Sequence, residues 1–179
     1  MKNFLIVVDM QNDFIDGSLG TAEARAILPA AVKRIESFDG EIFATLDTHG
    51  EDYLSTAEGK RLPVVHCVEN TDGWRIHPAI AAALDKKGYT PVKKPTFGSV
   101  ALAYLLNEAA GGRACEEDIS IELIGLCTDI CVASNALLLK AFFPSARIAV
   151  DAACCAGVTP RGHSAALETM QSCQIDVLG

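Results

Sequence analysis

Positive charge is scarce in this chain: 15 Lys and Arg stand against 23 Asp and Glu, a net charge of −8 at neutral pH. Such a surface repels a phosphate backbone or an anionic membrane on average, so neither nucleic acid nor membrane is an expected partner. Long apolar runs are missing too, since none approaches the ~20 residues that span a bilayer. Met1-Lys2-Asn3 leads straight into the five apolar residues Phe4–Val8 and stops at Asp9, which is no secretory signal. Seven cysteines are present, but none is spaced as C-x-x-C, so a thioredoxin-like redox pair or a zinc ribbon has no specific support. An odd number of thiols without a secretory signal points to reduced cysteines and a cytoplasmic protein. Internal repeats, low-complexity tracts and linkers are absent as well. A chain of 179 residues, half of them hydrophobic, suffices for one core, so residues 1–179 are expected to form one domain.

What is present is a regular alternation. Short apolar runs at Phe4–Val8, Glu41–Leu46, Tyr89–Val92, Ser120–Leu126, Arg147–Val150 and Ile175–Leu178 read as strands. Between them lie helical patterns at Ile27–Phe38, Pro78–Lys86, Ser99–Ala110, Ile130–Phe143 and Thr159–Cys173. Gly111-Gly112 ends the third of these, Pro144 the fourth, and Pro160 lies near the first turn of the fifth. Fully apolar strands alternating with helices predict an α/β, Rossmann-like fold of three layers, a mostly parallel six-stranded sheet with helices on both faces. In such sheets ligands bind beyond the carboxyl ends of the strands. The interval Asp47–His77 shows no periodicity, and a segment of that length reads as a functional loop region.

The residues just beyond the strands are not a random set. Strand one delivers Asp9 in VVDMQNDF, strand two Asp47 and His49 in TLDTH, strand three Lys93 and Lys94 in VKKPTFGS, strand four Cys127 and Cys131 in GLCTDICVASN. Asp9 ends an otherwise apolar strand, where a carboxylate is costly unless capped, paired or used. Asp13 in the same loop suits a local cap. Cys131 falls in the first turn of a helix, where free N–H groups and the helix dipole favour a thiolate. Burial in the core is the ordinary reading for Cys115, Cys154, Cys155 and Cys173. Lys93 suits a solvated charge at a loop entrance. Asp47-x-His49 places two ligands on one side of an extended chain, and Glu58, His66 or His77 can add more from the loop. Mixed His and carboxylate ligation suits zinc, iron or manganese. His77 reads as an ordinary loop histidine and His163 as structural.

In order and spacing, VVDMQNDF, TLDTH, LPVVHC, KKPTFGS and GLCTDICVASNA resemble the isochorismatase-like cysteine hydrolases, and most closely their nicotinamidase/pyrazinamidase branch. The resemblance implies hydrolysis of a small-molecule amide through a thioester, with Cys131 as nucleophile, Asp9 as acid/base and Lys94 as third member. It implies an oxyanion hole from the backbone N–H groups of Cys127 and Cys131 and a cis peptide at Leu126–Cys127. It further implies one divalent metal, zinc first with Fe2+ or Mn2+ as alternatives, on Asp47, His49 and His66. Glu58 is the fourth ligand expected, with Asp52 or water as its substitute. Phe14 matches an aromatic used against the substrate ring, and Phe97 is a second wall. The tryptophan that some nicotinamidases carry before the His-Cys pair is replaced by Leu62-Pro63-Val64-Val65; the one tryptophan, Trp74, comes later. Hydrolysis of an N-carbamoyl compound or of isochorismate, and a non-catalytic binding protein, are the competing functions. A homo-oligomer is compatible with all of these.

Overall fold

Six strands, β1 (Lys2–Val8), β2 (Glu41–Asp47), β3 (Thr90–Lys94), β4 (Ile119–Leu126), β5 (Arg147–Ala156) and β6 (Asp176–Leu178), form one parallel sheet in the order β3-β2-β1-β4-β5-β6. This computed structural model describes the backbone of residues 1–179 and all side chains except those of residues 113–115. Cys115, read as a core residue, therefore lies outside the described side chains.

β1 is central, and Phe4–Val8 are all buried because helices cover both faces of the sheet. Alternate side chains go to opposite sides. Phe4, Ile6 and Val8 join Leu102 and Leu106 of α5 (Val100–Ala110), Leu139 of α6 (Ala133–Phe142) and Met170 of α7 (Pro160–Ser172). Leu5 and Val7 join Ile35 of α3 (Leu28–Ser37) and Ile80 and Leu84 of α4 (Pro78–Lys87). These five side chains contribute on the order of 10 kcal/mol by burial, comparable to the ~1–2 kcal/mol per residue lost in ordering the strand. Two short helices, α1 (Asn12–Ile15) and α2 (Ala22–Ala26), fill the connection from β1 to α3.

Several boundaries depart from the periodicity in ways that matter for the site. β3 runs two residues past Val92, because Lys93 and Lys94 continue the ladder opposite Leu46 and Asp47. Lys94 is thus the last residue of a strand rather than part of the following loop. β5 continues through Cys154-Cys155-Ala156, where a register shift between Leu123 and Gly125 of β4 lets the strands resume pairing. Gly125 has φ +119, and a Cβ there would meet the Val8 carbonyl oxygen at 2.1 Å, so β4 approaches β1 as only glycine permits. The expected helix at Ile130–Phe143 opens earlier, with a π turn over Thr128–Val132 in which Val132 N–H donates to the Cys127 carbonyl at 3.1 Å. Between Asp47 and His77 the chain forms one 3-10 turn, Tyr53–Ser55, and two isolated bridges, His49 to Val68 and Ile76 to Gln11. No helix among the described residues is long and apolar enough to cross a membrane.

Candidate active site

The sheet order decides which strand ends meet. β1 lies between β2 and β4, so Asp9 emerges beside Asp47 on one side and the Cys127–Cys131 turn on the other, with Lys94 entering from the edge strand β3. Asp9, Lys94 and Cys131 are all buried. Lys94 Nζ stands 2.6 Å from Asp9 Oδ2, 3.4 Å from Cys131 Sγ and 3.4 Å from Asp47 Oδ1. The 2.6 Å approach is a charge contact to an oxygen that no hydroxyl or backbone N–H reaches. Asp9 Oδ1 is held instead by the Thr45 hydroxyl, which donates to it at 2.6 Å.

Burial is the largest influence on this cluster. It pushes the Asp9 carboxyl up, against the opposing pull of Lys94. Burial would lower the Lys94 ammonium, but the charges of Asp9, Cys131 and Asp47 reverse this and raise it, so Lys94 stays cationic. The Cys131 thiol is pushed well up by burial and by Asp9, with Lys94 opposing. The resting thiol is therefore neutral, and activating it requires a base in contact with it.

A second cluster adjoins the first through Asp47. Asp47 Oδ2 lies 2.9 Å from His49 Nε2 and 3.5 Å from His66 Nε2, while Glu58 Oε1 lies 3.8 and 3.7 Å from the same two nitrogens. Burial works to raise Asp47, yet contacts from His49 and His66 leave it well below the usual carboxylate range. Metal–donor bonds of about 2.0–2.2 Å separate neighbouring ligand atoms by roughly 3–3.5 Å. The four His–carboxylate pairs lie at 2.9–3.8 Å and all four donor atoms within 4.8 Å of one another, close to but somewhat wider than a bound ion would hold them. The rings are held as ligands are: His66 Nδ1 meets the Val64 carbonyl at 2.8 Å, and the buried Tyr53 packs edge-on against His49 and His66. Both N–H and C=O of Asp47 are tied to the side-chain amide of Gln11, at 2.8 and 2.9 Å. The residues fit a divalent metal, with Glu58 and not Asp52 completing the set.

The two clusters share one cavity of about 800 Å3, whose lining includes Cys127, Cys131, His49, Glu58, Phe14 and Phe97. Phe14 packs against the His66 ring at 5.5 Å. Phe97 is 44% exposed, so it is a wall at the mouth and not a core residue. Cys127 precedes the π turn, and the Leu126–Cys127 peptide is cis. A thiol and a metal-donor set lining one cavity, with a buried carboxylate–ammonium pair in contact with the thiol, suit addition to a carbonyl followed by expulsion of a leaving group.

Residues 3–179 match the isochorismatase domain. The chain belongs to the isochorismatase family. It is 29% identical to the nicotinamidase/pyrazinamidase of Mycobacterium tuberculosis, over 97% of each chain. Among solved structures it resembles the nicotinamidase/pyrazinamidase of Bacillus subtilis with a TM-score of 0.84 and 26% identity, covering 100% of both chains. It also resembles the pyrazinamidase of Pyrococcus horikoshii in complex with zinc, with a TM-score of 0.79 and 25% identity over 99% of each.

Within this isochorismatase-family chain the remaining titratable residues take ordinary places. Asp13 accepts the local Ser18 N–H at 3.5 Å through one oxygen and the Cys67 N–H at 2.8 Å through the other, pinning the residue after His66. His77 caps α4, and His163 Nδ1 meets the Thr128 hydroxyl at 2.8 Å. Lys93 is exposed and pairs with Glu69. Cys154 and Cys155 are buried, as core cysteines should be, but Cys173 is exposed: it follows the last turn of α7, past the face that packs Met170. Thr45, Gln11 and Tyr53 were not apparent as site residues. Thr45 is two residues from Asp47 in a strand, so the period-2 pattern places both on one face; Gln11 and Tyr53 carry no comparable signal.

Proposed function

We propose that the chain is a nicotinamidase-like cysteine amidohydrolase, one domain over residues 1–179, that converts nicotinamide or a related small amide to the acid and ammonia. The observation that carries this reading is the placement of Lys94 Nζ within 2.6 Å of the Asp9 carboxylate and 3.4 Å of the Cys131 thiol, at a cavity that also holds a metal-donor set. Asp9 accepts the thiol proton as Cys131 Sγ bonds to the amide carbon. Asp9 then passes that proton to the leaving nitrogen, the C–N bond breaks and ammonia departs. In the second half Asp9 takes a proton from water, the hydroxyl adds to the thioester, and the C–S bond breaks with return of the proton to sulfur. Lys94 balances the negative charge that Asp9 and Cys131 carry in turn, and the backbone N–H groups of Cys127 and Cys131 receive the oxyanion.

Asp47, His49, Glu58 and His66 would hold one divalent ion, zinc first, which when bound orients a heteroaromatic nitrogen and water. Phe14 and Phe97 would flank the ring. The cavity also supports a second reading, an N-carbamoyl substrate, because its volume exceeds a single ring and exposed Arg61 in its lining makes no ion pair among the described residues. Ammonia release from nicotinamide, pyrazinamide, N-carbamoyl amino acids and isochorismate separates these readings. Nicotinamide should yield nicotinate and ammonia one to one; ammonia from N-carbamoyl compounds alone would select the second reading. Metal analysis of purified protein should find about one divalent ion per chain, with His49→Ala losing it and Glu58→Ala binding roughly 10–100-fold more weakly. Full occupancy in His49→Ala would remove the site.

A further inference from the structure

The two oxygens of the Asp9 carboxylate are not equivalent. Oδ1 accepts a 2.6 Å hydrogen bond from the Thr45 hydroxyl, and the same hydroxyl oxygen accepts the Asp9 N–H at 3.2 Å. Thr45 is itself buried, so no solvent competes for either bond. Its single proton is committed to Oδ1. Oδ2, also buried, accepts from no hydroxyl or backbone N–H; its neighbour is the Lys94 ammonium at 2.6 Å. That ammonium also reaches Cys131 Sγ at 3.4 Å, so one cation brings Oδ2 and the thiol to the same point. Asp9 has φ +47, an unusual backbone for a residue other than glycine, and the paired contacts to Thr45 hold its side chain from one side.

We propose that Thr45 is a positioning residue: by occupying Asp9 Oδ1 it leaves Oδ2 as the oxygen that exchanges the proton with Cys131. This rests on the cysteine-hydrolase reading above and specifies its first step by atom. The S–H bond breaks, an O–H bond forms at Oδ2, and the sulfur electron pair makes the C–S bond to the carbonyl carbon. The Oδ2 proton is the one later delivered to the leaving nitrogen. Without the hydroxyl, the carboxylate is free to rotate and present Oδ1 to Lys94, and Oδ2 is no longer held beside the cation that contacts sulfur.

The test is Thr45→Val, which keeps the shape and removes the hydroxyl, compared with Thr45→Ser, which keeps the hydroxyl. In metal-loaded protein, kcat for amide hydrolysis should fall about 10- to 100-fold in Thr45→Val, with KM within about twofold of wild type. Thr45→Ser should recover the rate to within a few-fold. Alkylation of Cys131 by iodoacetamide, located by peptide mass spectrometry, should slow by a similar factor in Thr45→Val and reads thiol activation without any substrate. If Thr45→Val does not fold, Thr45→Cys supplies a weak donor of similar size and should fall between the other two. Wild-type kcat and alkylation rate in Thr45→Val, or equal losses in Val and Ser variants, would overturn the proposal. Should wild type release ammonia from no amide, the hydrolase reading fails, while the alkylation comparison still decides the part played by Thr45.

Discussion

Cys131→Ala is expected to lose ammonia release by about 10^4-fold or more, while Cys127→Ala keeps most of the wild-type rate. Removing the nucleophile removes the covalent path altogether, and effects of this size follow from losing one member of a cooperating set. The two thiols are four positions apart, yet their surroundings differ. Cys131 touches the Lys94 ammonium, which in turn holds the Asp9 carboxylate, so a base and a counter-charge are both present. At Cys127, burial and the nearby Asp129 and Asp9 charges outweigh the pull of Lys94, push the thiol up to about 12 and leave it protonated. What Cys127 contributes in the proposed mechanism is its backbone N–H, which alanine retains. A trapped thioester on the Cys131 peptide, detected by mass spectrometry after a rapid acid quench, would establish the intermediate directly. An active Cys131→Ala together with an inactive, folded Cys127→Ala would exchange the roles.

Lys94→Met is expected to destabilise the fold by about 3–5 kcal/mol and to lower activity by at least about 10^3-fold. Asp9 has none of its side chain exposed, and removing its cation leaves a carboxylate buried with neither water nor counter-charge. Asp47 loses the same cation at 3.4 Å. The double variant Asp9→Asn/Lys94→Met removes both members of the first pair and should recover part of the lost stability, since a buried pair deleted whole costs less than one broken. It should recover no activity. Denaturant midpoints of the two variants against wild type, with ammonia release measured alongside, separate the two effects. A Lys94→Met protein within about 1 kcal/mol of wild type would mean that the buried pair contributes to chemistry alone.

The contrast between these residues shows where sequence reasoning works. Asp9 and Asp47 each end an apolar run at a strand's carboxyl end, where a parallel sheet binds ligands, and Lys93-Lys94 and Cys131 follow two others; that Lys94 and not Lys93 turns inward is shown by the structure. Glu58 is different. It lies in an aperiodic segment where Asp52 is equally plausible from the sequence, and it reaches the two histidines only because of how the Asp47–His77 loop closes back on itself. Cys173 misled for a related reason. Cysteine is usually buried, but the end of α7 turns it past the packed face. Cys154 and Cys155 extend β5 beyond its expected end because pairing with β4 resumes after a register shift, which no local pattern records.

From its sequence alone this protein is an α/β chain with alternating apolar strands and amphipathic helices, poor in positive charge, carrying an acid, a lysine, a thiol and metal donors just beyond its strands. Periodicity and the cost of burying polar groups are local properties, so they can be read without a fold. The tertiary structure alone decided that β1 lies between β2 and β4, which brings Asp9 to Thr45, Lys94 and Cys131. It also decided that Oδ1 accepts from Thr45 while Oδ2 faces Lys94, and that the turn carrying Cys131 begins as a π turn. Apart from the π turn, these features depend on contacts between residues from 36 (Thr45 and Asp9) to 85 (Lys94 and Asp9) positions apart, and such contacts form only when the strand order is set by packing of the whole sheet.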